Sequence, residues 1–198
     1  MSNRPDVHLD DQGDAGTTLS EEECEGLIPS YITIRRELNE AEQANILEAQ
    51  EWAFARNRDV LSEKFLNPLH KQMFGNVWRW AGCYRKTGKN IDVDAYRIPQ
   101  DLRQLLDDCR YWMKHSTYEP DEIAVRFHHK LVWIHPDPNG NGRHARFATD
   151  LLLGSTNCTP FTWGANLFNQ ATTRRQYIGA LRESDKHYYQ PLMQFVRS

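Results

Sequence analysis

A proline-bounded apolar helix running straight into a glycine turn and a second helix constrains this chain most. From Pro120 to Ile134, the residues Ile123, Phe127, Leu131 and Ile134 recur at helical spacing. Pro136 ends the run, because the residue before a proline avoids the helical region. Gly140-Asn141-Gly142 follows, where two glycines let the backbone bend and expose successive N–H groups. Arg143-His144-Ala145-Arg146-Phe147-Ala148 then reads as the start of another helix. A helix N-terminus beside such a turn attracts phosphate. Arg143 and Arg146 are three residues apart, on one face of the first turn, where each guanidinium can grip phosphate oxygens with two bonds. His135, at the end of the preceding helix, is placed to act as a base.

The other apolar stripes are helical too. Asn39 and Glu42 form a capping-box signature ahead of Ile46, Ala49 and Ala53, which predicts a first core helix. Leu66, Leu69, His70 and Met73 keep helical spacing up to Gly75-Asn76, and Leu102, Leu105, Leu106, Cys109, Trp112 and Met113 keep it after Pro99. Tyr177, Ile178 and Leu181 mark a further helix, and Leu192, Phe195 and Val196 close the chain. Between Arg85 and Arg97 the pattern breaks. Thr87-Gly88-Lys89-Asn90-Ile91-Asp92-Val93-Asp94 alternates apolar with polar residues, predicting a short hairpin whose edge can pair with an extended peptide. The expected fold class is all-α with one small β-hairpin.

At 198 residues and 39% hydrophobic content, the chain has the size of one domain. Residues 1–18 are polar and acidic and read as a mobile tail, leaving 19–198 as a single domain. A net charge of −3 without a long basic run argues against direct nucleic-acid binding. No run of about 18 apolar residues occurs, and the N-terminus lacks the apolar stretch of a signal peptide, so the expected location is the cytoplasm, off the membrane. Cys24, Cys83, Cys109 and Cys158 show no paired metal spacing, so reduced thiols and no structural zinc are expected.

His135, Gly140, Asn141, Gly142, Arg143 and Arg146 together resemble the motif of the Fic family: His, any, Phe, any, Asp or Glu, Gly, Asn, Gly, Arg, two residues, Arg. The segment from Leu69 to Trp80-Ala81-Gly82 is similar to a second stretch of that family, so the resemblance covers most of residues 38–196. Glu25-Gly26-Leu27-Ile28-Pro29 and the segment from Leu38 to Ile46 are most similar to a Fic subgroup of bacterial mobile regions, mobile mystery protein B.

The resemblance implies a Fic-type helical bundle with a hairpin flap that transfers AMP from ATP to a Ser, Thr or Tyr hydroxyl of a target protein. His135 would be the base, and Gly140, Asn141 and Gly142 would hold the charge developing on the attacked phosphate. Arg143 and Arg146 would fix the other phosphates, with Arg143 counted in the catalytic set. Thr87, Gly88, Lys89, Asn90 and Ile91 would form the flap that aligns the target. Asn139 stands where most members carry a magnesium-binding carboxylate, implying a weakly held Mg2+ and slow or absent turnover. Asp137 stands where the family has Phe; a carboxylate buried there requires the loop to rearrange, to solvate it or to pair it, with Arg146 and His144 as candidate partners. Glu25 is the candidate for an inhibitory glutamate that pairs with the second motif arginine, Arg146. The resemblance also implies an antitoxin or helix-turn-helix regulator as partner. Two alternatives stay open: a catalytically degenerate Fic module that binds nucleotide or protein, and a phosphotransferase of the Doc branch, which has Lys where this chain has Gly142.

Overall fold

Each apolar stripe becomes a helix. In the computed structural model, which describes residues 21–56, 58–88, 93–165 and 170–198, α1 (Glu21–Cys24) is a single turn. The fold is carried by α2 (Arg35–Phe54), α3 (Glu63–Phe74), α4 (Ile98–His115), α5 (Pro120–Ile134), α6 (Asn141–Ser155), α7 (Gln170–Asp185) and α8 (Gln190–Val196). A 3-10 turn, Ala95–Arg97, leads into α4.

The α5–α6 pair is central. Phe127, Leu131 and Ile134 of α5, with Ala145, Ala148 and Leu152 of α6, join the larger core built with α2, α3 and α4. Ala124 and Val125 of α5 and Leu153 of α6 join a second cluster with Tyr177 of α7 and Leu192, Phe195 and Val196 of α8. The loop between α5 and α6 is therefore held by apolar packing on both sides.

The expected helix start at Asn39 is corrected. Helix α2 begins at Arg35, where the Glu37 carboxylate accepts the N–H groups of Thr33 (2.8 Å) and Ile34 (3.3 Å). Asn39 is exposed in mid-helix, and Glu42 turns inward, leaving neither to cap anything. Among the described residues no strand forms; an isolated antiparallel bridge joins Leu27 to Trp78. Lys89, Asn90, Ile91 and Asp92 of the expected hairpin lie outside the described residues, as does the expected tail 1–18, while Thr87, Gly88, Val93 and Asp94 are not in strand. Among the described residues no disulfide links two of the four cysteines, and no helix is long and apolar enough to cross a membrane.

Buried histidines tie the stability of this fold to pH. His128 Nε2 meets the Tyr177 hydroxyl at 2.8 Å, and His144 Nε2 meets the Leu66 carbonyl at 3.1 Å. Burial lowers the His128 pKa to about 3, with Arg146 adding to the fall, and lowers that of His144 to about 4. His70 and His129 are lowered as well, again chiefly by burial. Below the ordinary value of 6.5 the unfolded chain thus binds protons that the folded chain refuses. Stability is present above that pH and is lost as pH falls toward 4, by up to about 1.4 kcal/mol per pH unit for each histidine. Asp137 and Asp150, raised by burial, act in the opposite sense, but they are outnumbered. The melting temperature is expected to drop between about pH 7.5 and 5; a flat profile would mean that these imidazoles are not held neutral.

Candidate active site

Helix α5 ends as Pro136 requires, and His135 takes a left-handed conformation (φ 51°) with its N–H on Leu131 O at 3.2 Å. Helix α6 starts after Gly140, also left-handed at φ 79°. Between them the chain is stapled. Asn141 Oδ1 accepts the Asp137 N–H at 3.0 Å, and Asn141 Nδ2 donates to the Asp137 carbonyl at 2.7 Å. The buried side-chain amide of Asn141 thus closes the turn. Its backbone N–H, with those of Gly142 and Arg143, sits in the first turn of α6, where no helical acceptor exists.

The loop forms one wall of a cavity of about 540 Å³. His135, Asn139, Gly140, Asn141, Gly142, Arg143 and Arg146 line it from this side, so the structure brings together every motif position that the sequence singled out for base and phosphate work. Helix α2 adds Arg35 and Glu42, and α7 adds Arg174 and Tyr177. Four arginines and an open helix N-terminus thus face one space in a chain of net charge −3. Arg35 Nε and Arg146 Nε are buried without a hydrogen-bond partner, and the Arg146 guanidinium lies 4.8 Å from the centre of the Tyr177 ring. Such an arrangement suits a ligand with several phosphate groups, and the volume is that of a small-molecule site.

Sequence reasoning missed Arg35, Arg174, Tyr177 and Glu42. A usable signal existed for one of them: Glu42 interrupts the apolar stripe of Leu38, Ile46 and Ala49, where an unpaired carboxylate is costly. Glu42 is buried and doubly bonded, accepting Trp78 Nε1 at 2.7 Å and Arg143 Nη1 at 2.7 Å. The expected inhibitory residue, Glu25, is exposed and lies outside the cavity lining. The carboxylate that reaches a motif arginine is Glu42, and it meets Arg143 instead of Arg146. Phosphate must compete with it. Glu42→Gln keeps an acceptor for Trp78 while removing the charge on Arg143, so pyrophosphate binding by calorimetry is expected to tighten about tenfold. Unchanged affinity would show that the ion pair does not compete.

Asp137 is buried, and its Oδ1 makes no hydrogen bond. Its Oδ1 lies 3.4 Å from His70 Nδ1 and its Oδ2 lies 3.9 Å from His144 Nδ1. His70 Nδ1 already accepts the Gly82 N–H at 3.0 Å, so its proton sits on Nε2, 3.0 Å from the Asn139 carbonyl. His70 is a neutral imidazole, held so by burial and by His144 nearby, and burial raises the Asp137 pKa well above the carboxylate range. Of the two expected partners only His144 is near, at 3.9 Å, and His70 is closer. The Trp80-Ala81-Gly82 segment thus acts on the loop through His70: Gly82 orients the ring, and the ring holds Asn139.

Comparison with known proteins agrees with this geometry. Residues 60–153 match the Fic/DOC family. The protein adenylyltransferase Fic of Nematostella vectensis is 27% identical over 132 residues, which is 65% of this chain and 30% of that protein. The protein adenylyltransferase fic-1 of Caenorhabditis elegans is 25% identical over 146 residues, 72% of this chain and 28% of that protein. The chain spans less than a third of the length of these curated relatives. Among solved structures, C. elegans Fic-1 superposes with a TM-score of 0.61 at 23% identity, covering 79% of this chain and 46% of that one. The BepC effector of Bartonella tribocorum, with bound AMPPNP, gives 0.67 at 17% identity, covering 90% and 97%. At these identities the structural likeness speaks for the fold. The motif loop, the family match over residues 60–153 and the superpositions agree: this part of the chain is similar to the Fic/DOC family, and the fold is that of solved Fic domains.

Proposed function

We propose that this chain transfers AMP from ATP to a hydroxyl group of a protein. The observation that carries the reading is that His135 lines the same cavity as four arginines and the open N-terminus of α6. A target hydroxyl oxygen attacks the α-phosphorus while His135 takes its proton. The new O–P bond forms as the bond to the β-phosphate breaks, and pyrophosphate leaves. The N–H groups of Asn141, Gly142 and Arg143 face the charge that grows on the α-phosphate, while Arg143 and Arg146 hold the leaving pyrophosphate. Relatives named protein adenylyltransferases, and a structural neighbour with bound AMPPNP, support ATP as the substrate. Residues 87–91 are the segment on which the target would dock. The subgroup resemblance supports a bacterial setting, a cytoplasmic location and an antitoxin or helix-turn-helix regulator as partner.

The residues present do not fit a protein-held magnesium ion. Asn139 Oδ1 is 2.6 Å from the Gly140 N–H that it accepts, and Asp137 faces His70 and His144. Among the described residues no group of three or more His, Cys, Asp or Glu could hold a metal. Asn139→Asp supplies a carboxylate at this position, and the initial rate at millimolar Mg2+ is expected to rise about tenfold. An unchanged rate and metal dependence would remove Asn139 from consideration as a metal ligand.

Two features favour a second reading, a silent nucleotide-binding module: the neutral Asn139 and the Glu42 carboxylate already seated on Arg143. Incubation with ATP labelled separately at the α and γ phosphates, followed by mass spectrometry of the protein and of treated lysate, decides. Transfer of α label with an AMP-sized mass gain supports adenylyl transfer, γ label means phosphorylation, and neither means a silent module.

A further inference from the structure

Charge along the active-site cavity is unbalanced: Arg35, Arg143, Arg146 and Arg174 line it with one carboxylate, Glu42. That carboxylate is fully engaged, with one oxygen on Trp78 Nε1 and the other on Arg143 Nη1, both at 2.7 Å. Asn139 Oδ1 accepts the Gly140 N–H, and Asp137 is buried beside His70 and His144. The oxygens that a divalent cation would need are thus turned elsewhere, while positive groups are in surplus. Arg35 stands out among these cations by its place. It lies in the first turn of α2, at the positive end of the helix dipole, where a cation is disfavoured. Its neighbour Arg36 points to solvent and meets Glu40 at 3.8 Å. Arg35 lines the cavity instead, and its Nε is buried and bonded to nothing among the described residues. A buried donor without an acceptor and a cation at a helix N-terminus each cost free energy, and an anion beside Arg35 relieves both. Arg146 Nε is likewise buried without a partner. Arg35, Leu38, Asn39, Glu42 and Gln43 form one face of α2 along the cavity, and the rise from Arg35 to Glu42 is about 10 Å. Arg35 therefore stands apart from Arg143, which Glu42 holds, and reaches a different part of an extended chain of phosphates.

We propose that this cavity binds the polyphosphate of its nucleotide as the metal-free anion, with Arg35 supplying, beside Arg143 and Arg146, the positive charge that a divalent cation would otherwise bring. The inference rests on the reading of the cavity as a nucleotide site. Arginine suits the task because its planar fork meets phosphate oxygens with two charge-assisted bonds and keeps its charge at any working pH. Magnesium on the nucleotide works against such a site. It covers phosphate oxygens and cancels charge that the arginines would meet, and the lining offers it no unengaged carboxylate in return.

The test is calorimetric titration of the full chain with AMPPNP and, separately, with pyrophosphate, in EDTA and in millimolar magnesium. Both ligands are expected to bind in EDTA at least as tightly as in magnesium, and by up to about tenfold more tightly. Arg35→Gln is expected to weaken metal-free binding about tenfold, and Arg35→Lys, which keeps the charge but loses the fork, about threefold. Arg36→Gln removes the same charge from the same helical turn on the solvent side, and affinity is expected to stay within about twofold. The melting temperature of Arg35→Gln is expected to hold, since a cation leaves the positive end of α2; were it to fall, Arg35→Lys decides. Binding seen only with magnesium, or tightened by it, would overturn the inference and leave the nucleotide reading intact. Affinity unmoved by Arg35→Gln, or lost equally in Arg35→Gln and Arg36→Gln, would overturn it as well. Failure of both ligands to bind in either buffer would remove the nucleotide reading together with the inference. Label transfer is not read, so a chain that binds nucleotide without adenylyl transfer is judged on the same titrations.

Discussion

On the proposed adenylyl-transfer reading, His135→Ala is expected to lower transfer of AMP to protein by about a hundred- to ten-thousandfold, the loss that follows when a positioned general base is removed. The nucleotide remains bound, because the arginines and the N-terminus of α6 are untouched. The backbone of the residue persists too: its N–H stays on Leu131 and its carbonyl stays under Arg85. His135 sits at φ 51°, a conformation Asn tolerates better than most residues, so His135→Asn serves as a second variant with less strain. Both variants are measured for α-label transfer and for AMPPNP binding. Loss of transfer with binding retained places the imidazole in the chemical step. Retained transfer in the Asn variant would remove His135 from the mechanism.

Gly140→Ala carries the largest expected effect on stability and on the shape of the phosphate loop. At φ 79° a side chain is strained at about 1–2 kcal/mol. A Cβ there would also lie 2.7 Å from two ring carbons of Phe74 and 3.3 Å from His70 Nε2. Phe74 is 1% exposed and cannot swing aside, so overpacking adds about 1–3 kcal/mol. The sum, about 2–5 kcal/mol, is a large part of the stability of an ordinary domain. Because His70 also holds Asn139, the displaced ring carries the loop with it, and pyrophosphate affinity falls together with the melting temperature. Gly142→Ala is the control. A Cβ at that position meets nothing within 4 Å, and the residue lies in the first turn of α6, so a stable fold is expected. Equal melting temperatures for the two variants would contradict the packing around Gly140.

The helices were legible wherever an apolar stripe met its own stop signal. Pro120 opens α5 and Pro136 closes it, Gly75 ends α3, and Gly140 precedes α6, all within reach of local backbone preferences. The start of α2 was misread because Asn39 and Glu42 have the right spacing for a cap. The cap instead comes from Glu37, and Glu42 is drawn inward by Trp78 and Arg143, which lie 36 and 101 residues further along. No local rule carries that distance.

The same division runs through the site. The base, the glycine turn and the two motif arginines are contiguous, so their relation follows from helix geometry and could be read from the chain alone. Arg35 and Arg174 reach the cavity only because α2, packed on α3, and α7, packed on α8, are brought by the fold to the same space as the α5–α6 loop, and Arg85 meets His135 only through the fold of the intervening helices. Asp137 shows the difference most clearly. By itself the sequence determined that a carboxylate occupies the position; whether it is solvated, paired or neutral was decided by which side chains the tertiary structure brought to it. Those are His70 and His144, each with its proton turned toward a backbone carbonyl. The chain determines the elements and their local chemistry, because backbone preference and helical spacing act over a few residues. Only the packed structure determines burial, and burial sets which of these groups carry charge.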